Sequence, residues 1–197
     1  DAWPIFSVDA LRELAIYHYA FDPQQGFVMS DYEIRIITPS DALLCHRIEH
    51  RSWLGDGAAT LDDFEEWIQQ RPENFLVLEK DGDLVGFVHF GHSDDDFITE
   101  EGFKDQCNQG PGARYAHIRA VAVDDPGSEV SSIGTLLGRA FDHFESLGKE
   151  SVRLRCRDQY VDRLKDKGFR YIEAMTSDDI STWHQMGVVK GCFPWVG

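Results

Sequence analysis

The chain has 197 residues, 42% of them hydrophobic and 12% aromatic, which suits one globular domain with a proper core and argues against a second full domain. A formal charge of −16 at pH 7 argues against a nucleic-acid partner, because phosphate binding needs a basic face and the acids here are spread along the chain. No run of about 18 uncharged apolar residues exists for a membrane span, and Asp1-Ala2-Trp3-Pro4 lacks the basic start of a signal peptide, so a soluble, cytoplasmic protein is expected. Cys45, Cys107, Cys156 and Cys192 form no C-x-x-C pair, which disfavours a zinc ribbon or a redox motif and suits a reducing compartment.

In chain order, Val8 to Ala20 carries apolar residues at helical spacing and runs into a polar stretch at Asp22-Pro23-Gln24-Gln25-Gly26, so residues 1–30 read as a helical arm on a domain spanning 31–197. Tyr32 to Thr38 alternates as a half-buried strand does, and Pro39-Ser40-Asp41 offers cap chemistry for a helix reaching Trp53. Leu61 to Gln70 is a second amphipathic helix stopped by Pro72. Phe75 to Leu78 and Leu84 to Phe90 flank Lys80-Asp81-Gly82-Asp83, a hairpin signal.

After an acidic excursion from Gly91 to Gly112, in which Asp94-Asp95-Asp96 reads as a solvated loop, Tyr115 to Val123 is an apolar strand. Ile133, Leu136, Leu137, Ala140, Phe141 and Phe144 then fall on one face of the clearest helix. Val152 to Cys156 is a short strand, Gln159 to Asp166 a helix, and Arg170 to Met175 with Thr182 to Val189 the last strands. The succession describes a mixed α/β sheet with one crossover near its middle.

With that order in place, Tyr32 to Met186 resembles the Gcn5-related N-acetyltransferase (GNAT) superfamily, and within it the arylalkylamine N-acetyltransferases. The matching segments are Ile48-Glu49-His50-Arg51-Ser52-Trp53, Arg71-Pro72-Glu73-Asn74, Leu84-Val85-Gly86-Phe87-Val88 and Ile98-Thr99-Glu100-Glu101. Ala116-His117-Ile118-Arg119-Ala120-Val121-Ala122-Val123, Leu154-Arg155-Cys156-Arg157-Asp158, Gly168-Phe169 and Trp183-His184-Gln185-Met186 complete the set. The resemblance implies a GNAT-like mixed, largely antiparallel central sheet flanked by helices, acetyl-CoA as co-substrate and a small, aryl or alkyl, amine as acceptor.

The resemblance also distributes roles. Backbone of Ala120, Val121, Ala122 and Val123 is expected to pair with pantetheine amides, and the turn holding Ser131, Ser132, Ile133, Gly134 and Thr135 to receive the pyrophosphate. Where the family carries a basic or amide residue and then a first glycine, this chain has Glu129 and Ser132. His117 stands at the first of two catalytic histidine positions, Arg119 replaces the second, and Leu164 replaces a catalytic tyrosine, with Tyr160 one turn earlier as its substitute. Strand alternation places His117 and Arg119 on one face, where His117 would act as base and Arg119 would polarise an oxygen.

Each of these residues also has an ordinary structural reading: a hydrogen-bonded histidine, a tyrosine packed on an amphipathic helix, serines capping a helix, and tryptophans (Trp53, Trp67) in the core. Two rival functions follow from the residues. The substitutions at Glu129, Ser132, Arg119 and Leu164 suit a protein of this fold that binds a ligand or partner without transferring acetyl groups. His46-Arg47-Ile48-Glu49-His50 satisfies the H-x-x-E-H pattern of a zinc peptidase, though no helix with an obvious third ligand follows.

Overall fold

The computed structural model describes residues 32–52, 58–99, 109–175 and 183–192; the expected arm and Trp53 lie outside them. β1 (Tyr32–Ile36) leads through a 3₁₀ turn at Pro39–Asp41 into α1 (Ala42–Ser52) and then α2 (Leu61–Gln70). After a second 3₁₀ turn at Pro72–Asn74 come β2 (Phe75–Lys80), β3 (Asp83–Ser93) and β4 (Tyr115–Val123). The chain continues with α3 (Glu129–Ser146), β5 (Ser151–Arg157), α4 (Asp158–Asp166), β6 (Arg170–Met175) and β7 (Trp183–Val189).

Local chemistry accounts for these boundaries. Thr60 and Asp63 cap α2 reciprocally: the Thr60 hydroxyl accepts from the Asp63 N–H at 3.2 Å, and the Asp63 carboxylate accepts from the Thr60 N–H at 2.8 Å. Asp81 and Gly82 both take positive φ, 55° and 88°, which is the turn that matches the twist of a two-residue hairpin. β3 runs to Ser93, beyond the expected Phe90, because Phe90 to Ser93 find partners in Tyr115 to Ile118 of β4.

The strands form one sheet in the order β1-β2-β3-β4-β5-β7-β6, and β4 with β5 is the parallel pair, joined across α3. β7 inserts between β5 and β6, so every other pairing is antiparallel. Two cores lie on the two faces. The predicted stripe of α3, from Ile133 to Phe144, buries against Leu78, Val88, Phe90, Ile118 and Val121, and each such large side chain contributes about 1.5–3 kcal/mol. Opposite it, Ala42, Cys45 and Ile48 of α1 and Phe64 and Ile68 of α2 cover Phe75, Val77, Phe87, Ala120 and Ala122. No helix among the described residues is long and apolar enough to cross a membrane.

Candidate active site

The sheet opens in its middle. β4 pairs with β5 from Tyr115↔Ser151 to Ile118↔Leu154 and no further, while β5 stays with β7 out to Arg157↔Trp183. β4 meanwhile remains on β3 as far as Val123↔Gly86. Among the described residues, then, Ala120 to Val123 of β4 pair with β3 on one side and with no strand on the other, and β4 parts from β5. Gly86 allows β3 to run close beneath this edge: a Cβ there would lie 2.8 Å from Val123 Cγ2 and 3.0 Å from the Ala122 carbonyl oxygen.

A bulge sits where the strands part. β3 pairs His89 with Ala120 and Phe90 with Ile118, so Arg119 is the extra residue that β4 inserts at this point. The extra residue reverses the phase of β4: Ala116 and Ile118 face α3 before it, Val121 and Val123 after it. Consequently His117, Arg119 and Ala120 share the face covered by α1 and α2, in keeping with the alternation expected for His117 and Arg119.

On that face a narrow pocket is lined by Glu49, Phe64, Trp67, Phe87, His89, Arg119 and Ala120. The Arg119 guanidinium lies over the Trp67 ring, 4.9 Å from its centroid. His89 stacks on Phe75 at 3.8 Å, and complete burial holds its pKa well below the usual histidine range, so it is neutral. Glu49 projects from α1 with one oxygen accepting from the Ala59 N–H at 3.1 Å. Burial pushes its carboxyl up to about 7, against the opposing pull of that hydrogen bond.

His117 has a different setting. Its Nε2 lies 3.1 Å from the Asp95 carbonyl oxygen, and burial lowers its pKa to about 4. Asp94-Asp95-Asp96 is therefore no free solvated loop. Asp96 accepts from Arg153 Nη2 at 2.5 Å and from the Ser151 hydroxyl at 3.2 Å, and the Ile98 N–H donates to Gln185 at 2.5 Å. The segment straps β4, β5 and β7 together over His117. Arg153 lies flat beneath it on Gly187, where a Cβ would come within 2.3 Å of the guanidinium.

Tyr160 and Leu164 are buried with Phe169 in the core beneath α3. They belong to the opposite face of the sheet from His117 and Arg119, so the structure does not gather the three expected catalytic side chains into one site.

At the amino end of α3 no side chain caps the first turn, and its first intrahelical bond is Ser132 N–H to the Ser128 carbonyl at 2.9 Å. The preceding N–H groups point outward as a ready anion site. The side chains of Ser131 and Thr135 are exposed, each donating to a carbonyl one turn back or less, and a Cβ at Gly134 would meet nothing within 4 Å. Ile133 is buried and Ser132 points inward, its hydroxyl donating to Asp125 at 2.6 Å. Ser132 thus offers neither side chain nor N–H to a phosphate. Tyr32 and Lys80 also donate to Asp125, at 2.9 and 2.8 Å. Burial raises the Asp125 pKa, but these bonds outweigh it and leave the carboxyl below its usual range. Glu129 accepts from the Gly127 N–H at 3.1 Å, a carboxylate at the helix end where an anion would dock.

The His46 and His50 rings lie 4.3 Å apart on α1, while Glu49 between them turns into the pocket. Among the described residues no group of three or more His, Cys, Asp or Glu side chains is placed to hold a metal ion. Trp67 was the readable aromatic of the pocket; Glu49 and His89 as lining residues escape sequence reasoning. The signal for Glu49 is a carboxylate on the same helix face as Cys45 and Ile48, a position an amphipathic helix reserves for apolar residues.

A family model described as the acetyltransferase (GNAT) family matches residues 44–163. Among solved structures, Ard1 from Thermoplasma volcanium is similar with a TM-score of 0.62 at 21% identity, covering 80% of this chain and 97% of that one. For yncA from Salmonella typhimurium, solved with its cofactor acetyl-CoA, the values are 0.58, 18%, 80% and 93%. For the ribosomal-protein-S18-alanine N-acetyltransferase from Escherichia coli they are 0.57, 16%, 80% and 93%. At these identities the likeness to individual structures is one of fold.

Proposed function

Because the chain belongs to the acetyltransferase (GNAT) family, we propose that it is an acetyl-CoA-dependent N-acyltransferase acting on a small amine of the aryl or alkyl class. The observation that carries this reading is the parting of β4 from β5 at Arg119, which leaves backbone from Ala120 to Val123 free to pair with an extended amide-bearing chain. The residues present fit the co-substrate. The pantetheine amides would lie along Ala120, Val121, Ala122 and Val123, and the pyrophosphate at the first turn of α3, beside Ser131, Gly134 and Thr135. Space around Gly134 and the uncapped N–H groups suit that placement. The acetyl-CoA seen in yncA supports the choice of nucleotide.

Transfer requires that the amine lose a proton and attack the thioester carbonyl, while the developing oxyanion is stabilised and the thiolate leaves. In this reading Arg119, at the bulge where β4 leaves β5, would be the cation that polarises that oxygen. Phe64, Trp67 and Phe87 line the narrow pocket beside it, and the aryl or alkyl class of acceptor rests on the resemblance to the arylalkylamine N-acetyltransferases. The alternative of a non-transferring binding module is not favoured by an open cleft of this shape.

Calorimetric titration with acetyl-CoA, with free CoA as control, is the first test. Micromolar binding is expected, followed by thiol release on adding aryl or alkyl amines. A folded protein that binds neither nucleotide would remove the proposal.

A further inference from the structure

The turn proposed for the pyrophosphate carries no cation of its own. From Asp124 to Thr135 the sequence holds Asp124, Asp125 and Glu129 and neither Lys nor Arg, in a chain whose formal charge is −16. A polyanion settling there needs positive charge from elsewhere in the fold. Among the described residues, Lys80 and Arg51 form ion pairs with this segment. Lys80 donates to Asp125 at 2.8 Å and to the Ser128 hydroxyl at 3.3 Å. Asp125 is buried and also held by Tyr32 and Ser132, so Lys80 is committed to the interior of the turn.

Arg51 has a looser setting. It lies in the last turn of α1, and its Nη1 donates to the Asp124 carboxylate. The Arg51 side chain is 70% exposed and that of Asp124 30%, so water screens the pair and little is lost when it opens. The next residue fixes its place: the Ser52 hydroxyl donates to the Val123 carbonyl at 3.3 Å. The end of α1 is thereby fastened to the last residue of β4, where the edge proposed for pantetheine stops. Asp124 follows directly, and Asp125 after it anchors Ser132 in the first turn of α3. Arg51 thus stands at the joint between the pantetheine edge and the phosphate turn.

We propose that Arg51 exchanges Asp124 for the pyrophosphate of acetyl-CoA, supplying from α1 the positive charge that the turn lacks at Glu129. The inference rests on the acetyl-CoA reading above. A guanidinium can bond two phosphate oxygens at once, a planar match that a solvent-screened contact with one carboxylate oxygen does not reach. The pyrophosphate also brings more negative charge than Asp124 does. A cation in the last turn complements the helix dipole as well, but that role acts on α1 whether or not a nucleotide is present.

The test is calorimetric titration of the full chain with acetyl-CoA, CoA and dephospho-CoA, at about 20 mM and about 200 mM salt. Wild type is compared with Arg51→Gln, Arg51→Lys and Asp124→Asn, with a melting curve for each. Arg51→Gln should weaken acetyl-CoA binding by about 10- to 100-fold at the lower salt and by less at the higher. Dephospho-CoA, which keeps the pyrophosphate and lacks the 3′-phosphate, should lose the same factor. Arg51→Lys should recover part of the loss. Asp124→Asn breaks the same ion pair but leaves the cation, so it should bind acetyl-CoA at least as tightly as wild type. Melting temperatures close to wild type are expected throughout, because the pair is exposed. An Arg51→Gln protein that binds acetyl-CoA as wild type does would overturn the inference and leave the acetyl-CoA reading standing. A loss seen with CoA but absent with dephospho-CoA would overturn it also, moving Arg51 to the 3′-phosphate. So would an equal loss in Asp124→Asn, which would make the ion pair a brace between α1 and β4. Folded wild type that binds no nucleotide removes the acetyl-CoA reading itself, and the inference with it.

Discussion

The Ser132 hydroxyl donates to the Asp125 carboxylate at 2.6 Å, deep beneath the first turn of α3. The side chain that stands in a glycine position of the phosphate turn therefore faces the protein, and the outer surface of the turn is left to backbone. Replacing Ser132 with Ala removes a hydrogen bond to a charged group, so unfolding free energy should fall by about 1.5–3 kcal/mol while the acetyl-CoA Kd stays within twofold. Chemical denaturation alongside calorimetry checks this. A Kd weakened tenfold in a stable variant would show that the hydroxyl serves the ligand.

The Asp125 carboxyl lies below its ordinary range because Lys80, Ser132 and Tyr32 overcome the effect of burial. A depressed folded-state pKa gives stability that is present above the unfolded value, about 3.9, and disappears as pH falls through the folded one. Acidification below about pH 4 should destabilise wild type more steeply than Asp125→Asn, measured by melting temperature between pH 2 and 6. Glu49 has the opposite sign. Burial, its main cause, raises its folded pKa to about 7, so the folded state holds a proton the unfolded state has released. Stability should therefore decline as pH rises from about 4 to about 7, and Glu49→Gln should flatten that part of the curve.

Much of this was legible in the sequence, and the reason is periodicity. The apolar stripe of α3, the Asp81-Gly82 hairpin and the strand Tyr115 to Val123 each follow from a local pattern that tertiary packing had no cause to override. What sequence could not place was contact between distant segments. Asp94-Asp95-Asp96 reads as a polar loop, yet Arg153 and Ser151 wait for Asp96 across the sheet, 55 or more residues away. Equally, a one-residue bulge at Arg119 leaves no mark on alternation until the two cores are seen to exchange faces. Tyr160 sits one turn from Leu164 as helical spacing requires, but which face of the sheet that helix covers depends on β7 inserting beside β5.

Glu129 accepts from the Gly127 N–H at the helix end proposed for pyrophosphate. A negative charge there opposes a polyanion by about 1 kcal/mol at a separation of about 4 Å in a solvent-like dielectric. Glu129→Gln should consequently tighten acetyl-CoA binding by roughly fivefold at low salt, with less effect at high salt. Titrations at two ionic strengths measure both expectations. An unchanged or weaker Kd would mean that Glu129 does not face the bound nucleotide.

Gly86 lies where β3, β4 and α3 converge. An added Cβ would press on the Ala122 carbonyl oxygen at 3.0 Å and on Leu136 Cδ1 at 3.2 Å, and the backbone oxygen has little room to yield. Gly86→Ala should cost about 1–3 kcal/mol and, by pushing β4 outward, weaken acetyl-CoA binding along Ala120 to Val123. Denaturation and calorimetry on the same variant separate the two effects. Loss of stability with intact binding would place the nucleotide away from that edge.

His117 is tied into the strap that covers it. His117 Nε2 holds the Asp95 carbonyl at 3.1 Å, under a strap also tied by Arg153 and Gln185, so its ring is placed as an anchor. His117→Ala removes one hydrogen bond and leaves a cavity, a change of about 1–3 kcal/mol in stability. Thiol release should fall by less than tenfold, because the buried ring is already engaged by the strap. Steady-state rates measured beside melting curves separate the two effects. A His117→Ala protein of normal stability whose kcat falls about 100-fold or more would assign the proton transfer to His117.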